Sequence, residues 1–166
     1  MRFSYEIEAN LVDVYRVSLT SGEDAFFDTA DVELLLNKDI EIVEIDLERI
    51  NGTGKTSLRI LEQIADGIAN FIRQNSKSML YYYCDDLSEI PFSGRNRDIS
   101  PQEYRSRIFS LMFNRYTSKY KDLDLFDITI EINEDGRPLF MHLIAGRQYS
   151  DYVETVSRYI LNNYGK

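Results

Sequence analysis

Met79-Leu80-Tyr81-Tyr82-Tyr83-Cys84 is the stretch on which the fold turns. Six apolar or aromatic residues without polar alternation describe a strand covered on both faces, and Asp85-Asp86 ends it. Such a strand needs layers on either side, and helical patterns flank it. Upstream, Leu61, Ile64, Ala65, Ile68 and Ile72 form one apolar stripe of a helix ending near Gln74. Downstream, a polar loop over 87–99 holds Pro91 and Gly94. Ser100, Pro101 and Glu103 then supply an N-cap, an N1 proline and a capping-box acid. The helix they open runs to about Lys119. It is apolar on most sides through Tyr104, Ile108, Phe109, Leu111, Met112, Phe113 and Tyr116, so deep burial is expected.

Further out the patterns are those of strands. Phe3, Tyr5 and Ile7 alternate with Ser4, Glu6 and Glu8. A second strand spans Leu11 to Leu19 and ends at Ser21-Gly22, and Phe26-Phe27 suggests a short third. Ala30 to Leu36 suits one or two helical turns. From Ile40 to Leu47, Val43, Ile45 and Leu47 oppose Glu44, Asp46 and Glu48, a half-buried strand. Near the other end, Phe126, Ile128, Ile130 and Ile132 alternate with polar residues. Asn133-Glu134-Asp135-Gly136 makes a turn, and Pro138 to Ala145 returns as a hairpin partner. Tyr152, Val156, Tyr159 and Ile160 mark a last amphipathic helix. The order has too much antiparallel character for a doubly wound sheet. The expected fold is α+β: a single, mostly antiparallel sheet with about three helices packed on it. One domain covers 1–166, with an acidic β-meander over about 1–48 and a helix-strand-helix-hairpin-helix unit over about 55–164.

Composition excludes several classes. The 166 residues are 43% hydrophobic and 28% charged, with three prolines and eight glycines, which suits an ordinary globular chain rather than a disordered or low-complexity one. No apolar run approaches the roughly 18 residues of a membrane helix. The start, Met1-Arg2-Phe3-Ser4-Tyr5-Glu6, lacks the apolar core of a secretory signal, so a cytoplasmic location is expected. A single cysteine, Cys84, makes neither an internal disulfide nor, alone, a zinc site; it is read as a small buried hydrophobe. Nothing calls for a cofactor or a metal.

Charge is segregated. Residues 1–50 carry thirteen acids against four bases, which equals the whole net charge of −9, and 51–166 are balanced. Within the balanced part, 91–121 hold seven bases and two acids. The net acidity argues against non-specific nucleic-acid binding, because the overall field repels phosphate. Arg95, Arg97, Arg105, Arg107 and Arg115 interleave with Tyr104, Phe109 and Phe113, but those aromatics are needed for the core. The two charged regions are expected to neutralise each other within the fold or across a dimer.

Several motifs invite a chemical reading. Asn51-Gly52-Thr53-Gly54-Lys55-Thr56-Ser57 lies between a strand and a helix, and Gly54-Lys55-Thr56 matches the second half of a phosphate-cradling loop. The first glycine of that loop is replaced by Arg49, so the simpler reading is a turn whose Thr56 or Ser57 caps a helix. Asp85 and Asp86, at a strand end, are carboxylates of the kind that bind metal or exchange protons. Arg105 and Arg107 offer them a plainer use, ion pairs tying helix to strand end. His142, the only histidine, shares a strand face with Phe140 and Ile144 and is expected to be packed with one hydrogen bond. No serine sits in a nucleophile elbow, so no Ser-His-Asp set is assigned.

The stretch from Ile72 to Phe113 resembles a family of small bacterial proteins, mostly from Bacteroidetes, assigned to a domain of unknown function. Tyr82-Tyr83-Cys84-Asp85 matches the family's Tyr-x-Cys-Asp strand end, and Arg105, Arg107, Phe109 and Phe113 match its helix. The loop between Asp86 and Arg105 is longer than the family pattern. The resemblance implies a bacterial cytosolic protein with a binding site around Asp85, Asp86, Arg105 and Arg107, and it brings no established activity. The expectation is therefore a binding or protein-interaction module without catalysis, with a protein partner that includes a second copy as a homodimer. The alternative is a nucleotide- or metal-dependent enzyme using Gly54, Lys55, Thr56 and Asp85.

Overall fold

The computed structural model describes residues 2–8, 13–21, 39–52, 57–84 and 99–164. Among these residues six strands form one sheet: β1 (Arg2–Glu8), β2 (Val14–Ser21), β3 (Glu41–Asn51), β4 (Ser78–Cys84), β5 (Leu125–Glu134) and β6 (Arg137–Gly146). Their spatial order is β1-β2-β3-β4-β6-β5. Among the described residues three helices accompany them, α1 (Leu58–Gln74), α2 (Pro101–Thr117) and α3 (Ser150–Tyr164). The class is the α+β expected. β3 pairs parallel with β4, and every other neighbouring pair is antiparallel. That parallel pair follows from α1, whose length carries the chain back along the sheet between the two strands.

Each helix buries one stripe. Ser57 caps α1 by accepting from the Ile60 N–H at 3.4 Å. Ile60, Ile64, Ile68, Phe71 and Ile72 then face Val17, Leu19, Val43, Ile45 and Leu80. Full burial of each such side chain contributes about 1.5–3 kcal/mol. α2 lies on the same face. α3 covers the other face, where Tyr152, Val153, Val156 and Ile160 pack on Met79, Tyr81, Met141 and Leu143. β4 is thus enclosed between helices, as its unbroken apolar run required.

The β5–β6 hairpin turns at Asp135-Gly136, both with positive φ (51° and 80°), and pairs in register from Leu125 opposite Gly146 to Glu134 opposite Arg137. α2 departs from the expected all-round burial. Leu111 is 65% exposed, while Gln102, Arg105 and Ser106 are buried. Among the described residues no helix is long and apolar enough to cross a membrane. The strand expected at Phe26-Phe27 and the turns expected over 30–36 lie outside the described residues.

Candidate functional site

The polar inward stripe of α2 builds the site. Its first turn is set by Ser100, whose hydroxyl accepts from the Glu103 N–H at 3.2 Å, and by Pro101 with its preset φ. Gln102, Arg105, Ser106, Phe109, Met112 and Tyr116 then fall on one face against the sheet. Below Ser106 lies His142, held in register between Tyr82 of β4 and Thr129 of β5.

His142 is fully buried, and both ring nitrogens are engaged. Nε2 lies 2.8 Å from Ser106 Oγ. Nδ1 lies 3.2 Å from each carboxylate oxygen of Asp127 and 3.2 Å from Thr129 Oγ1. A carboxylate only accepts, so Nδ1–H donates to Asp127, and in the tautomer with its proton on Nδ1 the ring accepts from the Ser106 hydroxyl at Nε2. The Phe109 ring packs on the imidazole with centroids 4.8 Å apart and stacks on Tyr82 at 4.5 Å. His142 therefore has three polar neighbours instead of the single hydrogen bond expected. A Ser-His-Asp chain that no sequence signature announced is assembled here. In an open cleft this arrangement lets histidine take a serine proton during acyl transfer. Here Ser106 is only 5% exposed. The Ser-His-Asp chain supplies partners to a buried imidazole and links α2 to β5 and β6.

Arg105 and Arg107 do not come together. Two residues turn a helix by about 200°; Arg105 is buried beside Ser106, whereas Arg107 is largely exposed and bonds Glu103 at 2.5 Å. Asp85, Asp86, Gly54, Lys55 and Thr56 lie outside the described residues. Arg49, where a phosphate loop would begin with glycine, points inward. Its guanidinium pairs with Asp13 and stacks over Tyr15 at 5.4 Å.

A second polar cluster joins α1 to the 3-10 turn Lys121–Leu123. Tyr120 donates its hydroxyl proton to Asp66, and Lys119 Nζ reaches Asp66 at 2.9 Å and Glu62 at 3.2 Å. Arg73 chelates Asp122 at 2.9 and 3.2 Å. Burial pulls the Asp66 carboxyl upward, but the bonds from Tyr120 and Lys119 outweigh it and hold its pKa below the usual value. Burial, then the bond to Asp66, pushes Tyr120 up to about 12. Lys119 is accordingly spent inside the fold rather than offered by the basic segment. The acidic part likewise forms ion pairs within the sheet, where Arg16 bonds both Glu6 and Glu48.

Among the described residues no group of three histidine, cysteine, aspartate or glutamate side chains is placed to hold a metal ion. No protein-family model matches the chain, and no curated protein or solved structure is significantly similar to it.

Proposed function

We propose that the protein is an interaction module without chemistry of its own, docking a protein partner along the outer edge of β1. One observation carries this reading. Among the described residues no strand pairs with that edge, and Phe3 stands on it half-exposed. A straight edge with free backbone donors and acceptors is a template for strand addition. It is also anchored to the core, because Ile7 is buried and the Tyr5 hydroxyl donates to the Ile64 carbonyl at 3.5 Å. A bacterial, cytosolic setting belongs to the same reading, supported by the resemblance over Ile72 to Phe113. A second copy of the chain is among the partners it admits.

A photoreactive phenylalanine analogue placed at Phe3, with Leu161 on α3 as a comparably exposed control, tests the edge. Adducts whose sequenced junction lies at position 3, absent from position 161, are expected. Equal or absent crosslinking at both positions overturns the reading.

The Ser106–His142–Asp127 distances favour a second reading, acyl transfer. Ser106 Oγ would attack an ester carbonyl while His142 Nε2 takes its proton and returns it to the departing alkoxide. A fluorophosphonate probe decides it: labelling of Ser106 that is lost in His142→Gln supports the activity, and an unlabelled native protein removes it. For the nucleotide alternative at Lys55, Mg-ATP at 100 times its Kd should add about 2.7 kcal/mol of stability. No thermal shift, or one unchanged in Lys55→Ala, removes that alternative.

A further inference from the structure

Resting on the edge-docking reading, we infer that the occupant of the β1 edge is a second copy of β1, paired antiparallel about Tyr5. The sequence of β1 is self-complementary in that register. Arg2 falls opposite Glu8 of the copy, Phe3 opposite Ile7, Ser4 opposite Glu6, and Tyr5 opposite itself. Every one of the seven residues is paired, and no like charges face each other.

Neighbouring registers are worse for stated reasons. A one-residue slip sets apolar residues against charged ones, because side chains alternate faces along a strand. Slipping by two in one direction puts Glu6 opposite Glu6, and in the other it pairs only residues 2–6 of the described strand with one another. In the centred register Phe3, Tyr5 and Ile7 of each copy lie on the face that α1 covers, since Ile7 and Tyr5 already pack in that core. Phe3, half-exposed in the single chain, gains an apolar neighbour across the two-fold axis, and the sheet becomes continuous through both copies.

The other outer strand lacks this property. β5 carries Asp127, Glu131 and Glu134 and no cation, so pairing there brings acids together with nothing to offset them. β1 contains neither proline nor lysine, the two residues most used to discourage edge pairing. The interaction is isologous and therefore closes at two copies. Seven paired residues make a small interface, of the size class that weak and transient complexes use. Each copy carries a net charge of −9, so moderate salt strengthens association by screening repulsion between the copies. Docking of the basic segment on an acidic surface would instead weaken with salt.

The test is sedimentation equilibrium of the full chain over about 1 to 200 µM, a range that brackets micromolar affinity. Mass is expected to rise from 19.5 kDa toward twice that value. Phe3→Asp is expected to stay monomeric and folded. Arg2→Glu and Glu8→Arg each weaken the dimer, and mixing those two variants restores it, because the mixed pair sets Arg opposite Glu at both ends. A monomer at every concentration overturns the second copy as occupant, while position-3 adducts to another protein would leave edge docking standing. A dimer indifferent to Phe3→Asp and to both charge reversals overturns the β1 interface itself.

Discussion

Ser106 on α2 and His142 on β6 meet at 2.8 Å across the helix–sheet boundary, with the imidazole wholly enclosed. The hydroxyl supplies the proton that Nε2 needs once Nδ1–H is committed to Asp127. Without it a buried acceptor has no partner.

Ser106→Ala is therefore expected to cost about 1–3 kcal/mol, the range for a buried polar atom deprived of its partner. His142→Leu is expected to cost at least as much. In the double variant the losses should fall short of the sum by about 0.5–3 kcal/mol, as for directly coupled residues. Urea denaturation of the four proteins measures this. Additive losses would mean that the hydroxyl does not serve the ring.

Acid should loosen the joint between α1 and the Lys121–Leu123 turn. Asp66 and Asp122 both have folded pKa values below the ordinary 3.8, Asp122 chiefly through the Arg73 hydrogen bond. A depressed carboxylate contributes stability above its unfolded pKa and loses it as pH falls through the folded one. Stability should thus decline below about pH 4, and less steeply in Asp66→Asn. Denaturation midpoints at successive pH values read this out.

At the alkaline end the sign reverses. Tyr120 rises from 10.0 to about 12, so its contribution is intact below pH 10 and lost as pH climbs through about 12. Tyr120→Phe should lower stability at neutral pH and flatten this alkaline decline. An unchanged alkaline slope would show that the Asp66 bond is not its source.

Gly67 sits mid-helix in α1, where alanine would ordinarily gain about 1 kcal/mol. A Cβ there would overlap the Tyr5 ring and hydroxyl, and such overpacking costs about 1–3 kcal/mol. Gly67→Ala should destabilise the protein, whereas in a Tyr5→Ala background it should stabilise it. Stabilisation in both backgrounds would mean that β1 does not press on α1.

Cys84, wholly buried at the end of β4, should resist a disulfide reagent in the native state and react as fast as the chain unfolds. Immediate reaction of the native thiol would contradict the enclosure of β4.

Much of the architecture follows from local pattern. The Met79–Cys84 run required cover on both faces and received it from α1 and α2 on one side and α3 on the other. Ser100, Pro101 and Glu103 marked the start of α2 because capping is chemistry among adjacent residues. Asn133 to Gly136 marked the hairpin for the same reason. The stripe of α1 told which side it would bury, since a period of 3.6 is a property of the chain alone. His142 was placed beside Phe140 and Ile144 by strand alternation.

Register and crossing belonged to the tertiary structure. Asp127 and Thr129 read as residues of a wet strand face; only the insertion of β6 between β4 and β5 sets them beside His142. Ser106 read as an unremarked helix residue until the angle of α2 over the sheet turned its second turn inward. Which of Arg105 and Arg107 is buried, and the pairing of Lys119 with Asp66, were likewise settled by which helix face met the core. Local sequence determines the elements because their hydrogen bonds and stripes lie within a few residues. Which polar groups become partners depends on contacts between distant segments, and packing of whole elements decides those.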